Sequence, residues 1–119
     1  MNNTRRKMIA SIIMNLRKFS DYDLIEDIKD EIEDILWDEE DAYNNMPENL
    51  QYSIRGENSI DAINSLQEAI DTLERAVNIL EEIEVLDDEN EEDKIEKESR
   101  QNELNDYIDQ AISNLEDIY

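Results

Sequence analysis

The feature that most constrains the fold is the placement of the only proline, Pro47, and the only glycine, Gly56, within one short segment. Loop-rich and all-β folds need turn-forming residues about every 8–12 positions, and this chain of 119 residues does not have them. On both sides of the segment the sequence is acidic, and its apolar residues recur with the period of a helix. The sequence therefore predicts an all-α fold that reverses near these two residues.

Apolar residues at spacings of three and four define three helical stretches. The predicted elements are a helix over 4–45, a tip over 46–57, a helix over 58–86, an acidic linker over 87–93 and a helix over 94–118. We expect them to form a single domain, residues 1–119, built as an elongated antiparallel three-helix bundle or helical hairpin with coiled-coil-like packing. Whether the first helix breaks at Ser20-Asp21 stays open, because Ser and Asp favour helix caps over helix interiors.

The second predicted helix carries a seven-residue repeat that predicts its packing seam. The seam consists of Ile63, Leu66, Ile70, Leu73, Val77 and Leu80. A row of small residues with the same period flanks it, namely Ala62, Ala69 and Ala76. The apolar face is therefore wider than a two-stranded seam, which favours a bundle over an open dimer.

The tip is predicted to be a hairpin connection. Pro47 suits the start of a short turn, because its missing N–H costs nothing at a first helical position. Gly56 is expected to adopt a positive φ where the chain turns again, and Asn58 with Asp61 resembles a helix-capping box. We also expect an apolar plug at this end of the bundle. Its members are Tyr43, Leu50, Tyr52 and Ile54.

The net charge of -23 is unevenly distributed. Residues 1–18 hold five bases and no acid, so the remainder carries a charge of -28. Such an excess opposes self-association, repels nucleic acid and anionic membranes, and favours basic partners. We expect Arg5, Arg6 and Lys7 to lie beside the acid-rich end of the second helix, around 81–87; docking on a membrane or an acidic partner is the alternative.

Histidine and cysteine are both absent, which removes the usual general base, thiolate chemistry and the ligands of zinc sites. The acidic run 87–92 resembles a calcium loop in composition only, because Glu92 stands where an EF-hand needs glycine. Pairs such as Glu81 and Glu84 match the spacing of magnesium-binding helices in nucleotide pyrophosphohydrolases, but no Lys or Arg converges on them in sequence. We therefore predict a non-enzymatic protein with no cofactor, no dedicated metal site and no catalytic residue.

No apolar run reaches the roughly 18 residues of a membrane span, and no signal-cleavage site follows the basic N-terminal stretch. We therefore expect a cytoplasmic protein.

Carboxylates three or four residues apart on a helix lie about 5–6 Å from each other, which approaches the spacing of backbone phosphates. The predicted partner-binding carboxylates are Asp34, Asp38, Asp41, Asp71, Glu74, Glu81, Glu84, Asp87 and Glu91. One interpretation is a nucleic-acid mimic that occupies the basic groove of a nucleic-acid-binding protein. The other is a solvated helix surface. We expect no direct contact with nucleic acid or membrane, and a homodimer stays open.

A second candidate site is the tip, whose residues have either a partner-binding or a structural role. They are Pro47, Glu48, Leu50, Gln51, Arg55, Gly56 and Glu57. Arg55 is predicted either to pair locally with Glu48 or Glu57, or to form part of a binding epitope on a rigid scaffold.

The string N-M-P-E-N-L-Q-Y-S-I-R-G-E at 45–57 resembles an N-[MLI]-P-E-x-L-Q-x-S-x-R-G-E string in small acidic helical proteins of phages and mobile elements. The resemblance covers about residues 5–86 and implies a phage-encoded protein acting in a bacterial host cytoplasm. With the acidic faces, it favours an inhibitor of a host defence nuclease, either a restriction enzyme or a CRISPR effector. The alternative is an assembly or virion accessory protein that oligomerises through apolar faces.

Overall fold

The computed structural model describes residues 2–17, 24–86 and 89–118. The regular secondary structure of these residues is helical, with no strand. The helices are α1 (Asn3–Arg17), α2 (Leu24–Asn44), the one-turn α3 (Glu48–Gln51), α4 (Ile54–Glu84) and α5 (Glu91–Glu116). The predicted all-α class is confirmed. The molecule is a rod with principal extents of 62 × 20 × 18 Å.

The first predicted helix, over 4–45, is wrong as a continuous element. Nε of Arg5 lies 2.7 Å from Oε2 of Glu39, whereas 34 residues of one helix would separate the two by about 51 Å along the axis. α1 therefore folds back along α2. Ser20-Asp21, where the sequence left a break open, lies outside the described residues.

α4 lies between α2 and α5 and contacts both. Nζ of Lys29 lies 3.7 Å from Oε1 of Glu74, and Glu39 is hydrogen-bonded to Ser59, so α2 and α4 run antiparallel. On the other side, Arg100 of α5 pairs with Glu82 of α4 at 3.3 Å. α1 completes the arrangement by contacting α2 and α5.

This topology contradicts the expected position of the basic N-terminal residues. Arg5 belongs to the same cluster as Ser59, near the start of α4. Glu81 follows Ser59 by 22 residues on that helix, which is about 33 Å along the axis. The basic first turn of α1 therefore lies at the tip end of the rod, far from the acid-rich end of α4.

The predicted seam of α4 agrees with the structure in part, since Leu66, Ile70 and Leu73 are buried. Ile63, Val77 and Leu80 are only partly buried. The nearly inaccessible residues instead follow the alanine row at spacings of 3-4-3-4-3, namely Ser59, Ala62, Leu66, Ala69, Leu73 and Ala76. Small residues at a contact line let helix backbones approach closely, so the contact line of α4 is formed by alanines that alternate with Leu66 and Leu73.

α5 begins at Glu91, inside the predicted acidic linker 87–93. Oδ1 of Asn90 accepts a hydrogen bond from the backbone N–H of Glu92 at 2.9 Å, so Asn90 caps the helix. Three acids, Glu91, Glu92 and Asp93, occupy the first turn, where the positive end of the helix macrodipole favours carboxylates. The acidic run that predicted a linker therefore serves partly as a helix start.

Candidate functional site

Hydrogen bonds from both the backbone and the side chains of the tip hold it together. The carbonyl of Pro47 accepts bonds from the backbone N–H groups of Leu50 and Gln51, at 2.9 and 3.2 Å, which forms α3. Nε2 of Gln51 donates to the carbonyls of Tyr43 and Met46, at 3.0 and 3.3 Å. α3 is therefore fastened to the end of α2, and both Pro47 and Gln51 have structural roles.

Gly56 has a different role from the predicted one. It lies within α4, and no described residue has a positive φ. A Cβ at this position would lie 2.1 Å from the carbonyl oxygen of Gln51. A glycine is therefore required at position 56 because the backbones of α3 and α4 are in close contact there, and not because the residue adopts a left-handed conformation.

The predicted capping box at Asn58 and Asp61 is also wrong, because α4 begins one turn earlier, at Ile54. The N-cap is Ser53, which has extended backbone angles. Its hydroxyl donates to the carbonyl of Leu50 and so ties the start of α4 to α3.

Beneath the tip is a buried polar cluster of Arg5, Glu39 and Ser59. The Ser59 hydroxyl donates to Oε1 of Glu39 at 2.7 Å, and Nε of Arg5 donates to Oε2 at 2.7 Å. The Glu39 side chain is 1% exposed and that of Arg5 is 14% exposed. The cluster joins α1, α2 and α4 at one point.

Burial acts to raise the pKa of Glu39, but the hydrogen bond from Ser59, the positive charge of the amino terminus, and the hydrogen bond and charge of Arg5 together outweigh it and lower the pKa below its ordinary value. Glu39 is therefore held as a carboxylate in the core.

The sequence patterns did not predict this cluster. The available signal was that Glu39 follows Ile32, Ile35 and Leu36 at helical spacing, so it falls on the buried stripe of α2.

Beside the cluster lies a cleft of about 340 Å³ between the ends of α1, α2 and α4. Its polar lining comes from Asn2, Arg5, Glu39, Asn45 and Arg55. Its apolar wall comes from Ala42, Met46, Pro47 and Leu50. The predicted apolar plug is wrong in part, because Tyr52 and Ile54 are 80% and 76% exposed, whereas Leu50 lines the cleft.

Arg55 lines this cleft from the first turn of α4. Within the described part of the chain it makes no ion pair, so the predicted local pairing with Glu48 or Glu57 is not found. Glu48 and Glu57 are both exposed.

The described acidic residues of the predicted partner surface are all exposed. Asp34, Asp38 and Asp41 lie on α2. Four others lie on α4, namely Asp71, Glu74, Glu81 and Glu84. Glu91 begins α5, and Asp87 lies outside the described residues. Of this set, Glu74 is partly compensated, by Lys29.

These carboxylates spread along the rod instead of converging. In residues 2–17, 24–86 and 89–118, no three Asp or Glu side chains come together in a way that could hold a metal ion. A DNA duplex of the same 62 Å length would carry about 36 charges, at one per ~1.7 Å of axis. The chain's net charge of -23 is about two thirds of that value.

No protein-family model, curated protein or solved structure matches this chain. Across the described residues, no helix has both the length and the hydropathy required to cross a bilayer.

Proposed function

We propose that the protein is a non-enzymatic binding protein that presents its exposed carboxylates to the nucleic-acid-binding surface of a basic partner. The resemblance of the tip string to phage and mobile-element proteins makes a host defence nuclease, either a restriction enzyme or a CRISPR effector, the favoured partner. The observation that carries the proposal is the rod of 62 × 20 × 18 Å with carboxylates exposed along three of its helices.

Two further properties support this function. A single helix holds Asp34, Asp38 and Asp41 at spacings of four and three residues, so these groups lie about 5–6 Å apart on a rigid scaffold. α2 itself has one base, Lys29, against ten acids, and Arg5 of α1 compensates one of these acids, Glu39. A basic groove would therefore gain most of its attraction from fixed groups that need no reordering on binding.

The test is displacement of a labelled DNA duplex from restriction and CRISPR nucleases, followed by fluorescence anisotropy. We expect the wild-type protein to release the duplex, and the release to weaken steeply between low and moderate salt, since exposed charges are screened beyond about 8–10 Å at physiological ionic strength. The variant Asp34→Asn/Asp38→Asn/Asp41→Asn should require a higher concentration for the same release.

A matched control is Glu98→Gln/Asp106→Asn/Asp109→Asn, which removes the same charge from exposed positions on α5 outside the proposed surface. If both triple variants release the duplex equally poorly, the effect depends on net charge alone and not on the positions of the carboxylates. Release that does not depend on salt would contradict the mechanism.

A second candidate function is assembly through apolar faces, and one observation favours it. Several large apolar side chains are exposed along the rod, including Trp37 at 58%, Val85 at 82% and Ile95 at 72%. Sedimentation velocity separates the two functions, because assembly requires a large oligomer at moderate salt and mimicry requires a monomer or small dimer.

A further inference from the structure

No hydrogen bond or ion pair of the tip explains the position of Arg55. Gln51 and Ser53 form hydrogen bonds that hold the tip together. Arg55 is exposed, makes no ion pair with any described residue and lies in the first turn of α4. A cation there meets the positive end of the helix macrodipole, which disfavours it. A local arrangement that costs stability is typical of a functional site.

The cleft that Arg55 lines is built on fixed groups. One side is Arg5, whose guanidinium is held by the buried carboxylate of Glu39 at 2.7 Å. The apolar lining consists of Ala42, Met46, Pro47 and Leu50, and the backbone at the tip is fixed by the bonds from Gln51 and by the close contact at Gly56. The site therefore combines a guanidinium with an apolar wall.

Charge decides which ligand fits. Among the side chains of the lining, Arg5 and Glu39 neutralise each other, so Arg55 contributes one uncompensated positive charge, which suits an anionic ligand. A guanidinium binds a carboxylate through two parallel hydrogen bonds. The net charge of -23 disfavours a phosphate dianion or a polyanion more strongly than a monoanion.

We propose that the tip cleft binds a carboxylate side chain, Asp or Glu, of a partner protein, with an adjacent apolar side chain of the same segment against Met46, Pro47 and Leu50. This site differs in position and in charge preference from the acidic faces, and it does not depend on the function proposed for them. The two surfaces would give the rod one end that recognises an acidic segment and sides that recognise a basic surface.

The test uses two blocked peptides, acetyl-Leu-Glu-Leu-amide and acetyl-Leu-Gln-Leu-amide, and inorganic phosphate, each titrated into the full chain by ¹H–¹⁵N NMR. We expect the glutamate peptide to shift the amide signals of Asn45, Leu50 and Arg55. The glutamine peptide and phosphate should bind more weakly, by about tenfold or more for the lost charge-assisted contact.

Arg55→Gln should weaken the binding of the glutamate peptide by a similar factor of about ten. Arg75→Gln is the matched control, since Arg75 is exposed on the same helix, makes no ion pair with described residues and lies 20 residues away. It should leave binding unchanged. The proposal is overturned if Arg55→Gln binds as the wild type does, if the glutamine peptide or phosphate binds equally well, or if the shifts lie away from the tip.

Discussion

Arg5 and Glu39 are 34 residues apart in sequence, yet Nε of one lies 2.7 Å from Oε2 of the other. The contact brings a cation from the first turn of α1 into the core, although a cation in that turn is disfavoured by the helix macrodipole. α1 buries only Ile9, Ile12 and Leu16. Its docking on α2 therefore depends strongly on this ion pair.

Glu39→Gln is the first substitution that tests this dependence. An amide keeps the shape of the side chain and can still hydrogen-bond to Arg5 and Ser59, but the largely buried guanidinium would lose its counter-charge. Removing one partner of a buried pair costs about 3–5 kcal/mol. We expect a loss of this size in the free energy of unfolding measured with urea, together with faster hydrogen exchange in α1.

Asp38→Asn is the control for that measurement, because Asp38 is the adjacent residue and is exposed. A surface change of this kind should stay within about 0.5 kcal/mol. If the two variants are equally stable, α1 does not depend on the charge of Glu39.

The pH dependence of the same comparison follows from the lowered pKa of Glu39. A carboxyl whose pKa is lower in the folded state contributes stability above its unfolded pKa and loses it as the pH falls through the folded value. The ordinary value is 4.5. We therefore expect the stability difference between wild type and Glu39→Gln to be constant above about pH 5 and to shrink below pH 4.5.

Urea unfolding of both proteins between pH 3 and pH 7 measures this difference. The comparison cancels the general effect of acid, because both proteins share every acidic residue other than Glu39 and acid relieves the repulsion among these residues in both. A difference that grows as the pH falls would mean that Glu39 has a raised pKa in the folded state.

Gly56→Ala tests the contact between α3 and α4. In a helix interior, alanine is normally favoured over glycine by about 1 kcal/mol. Here the new Cβ would lie 2.1 Å from the carbonyl oxygen of Gln51, and backbone must move to make room. We expect the variant to lose about 1–3 kcal/mol in the free energy of unfolding, as overpacked sites do.

Asn64→Ala is the matched control for Gly56→Ala, since it places alanine at an exposed position of the same helix. It should be neutral or slightly stabilising by helix propensity. If Gly56→Ala behaves in the same way, the close contact at the tip is not a constraint on the fold.

The all-α class could be predicted from the sequence, because one glycine and one proline exclude loop-rich and all-β folds and the apolar residues recur with a helical period. The reversal between α1 and α2 did not follow, since apolar spacings of three and four are the same in one long helix and in two antiparallel ones. What separates the alternatives is Glu39, a charge on the buried stripe that requires a partner. Its partner, Arg5, lies far away in sequence, and no local pattern connects the two.

The tip shows a similar limit. The sequence placed the chain reversal at Pro47 and Gly56, but it assigned to Gly56 the commonest role of a glycine. Close approach of two backbones has no local signature, since it depends on where α3 lies relative to α4. The acidic faces were easier to predict, because exposure follows directly from the helical period.

Ala69→Leu tests the packing of the alanine row in the seam of α4. Ala69 is fully buried in the alanine row, at the centre of the seven-residue repeat, where a larger side chain would push neighbouring helices apart. We expect a loss of about 1–3 kcal/mol in the free energy of unfolding, whereas Ala10→Leu, at an exposed position of α1, should change it by less than about 0.5 kcal/mol. Both variants are measured by urea unfolding. A neutral Ala69→Leu would contradict close packing along the alanine row, because only a loosely packed row could accept the added volume.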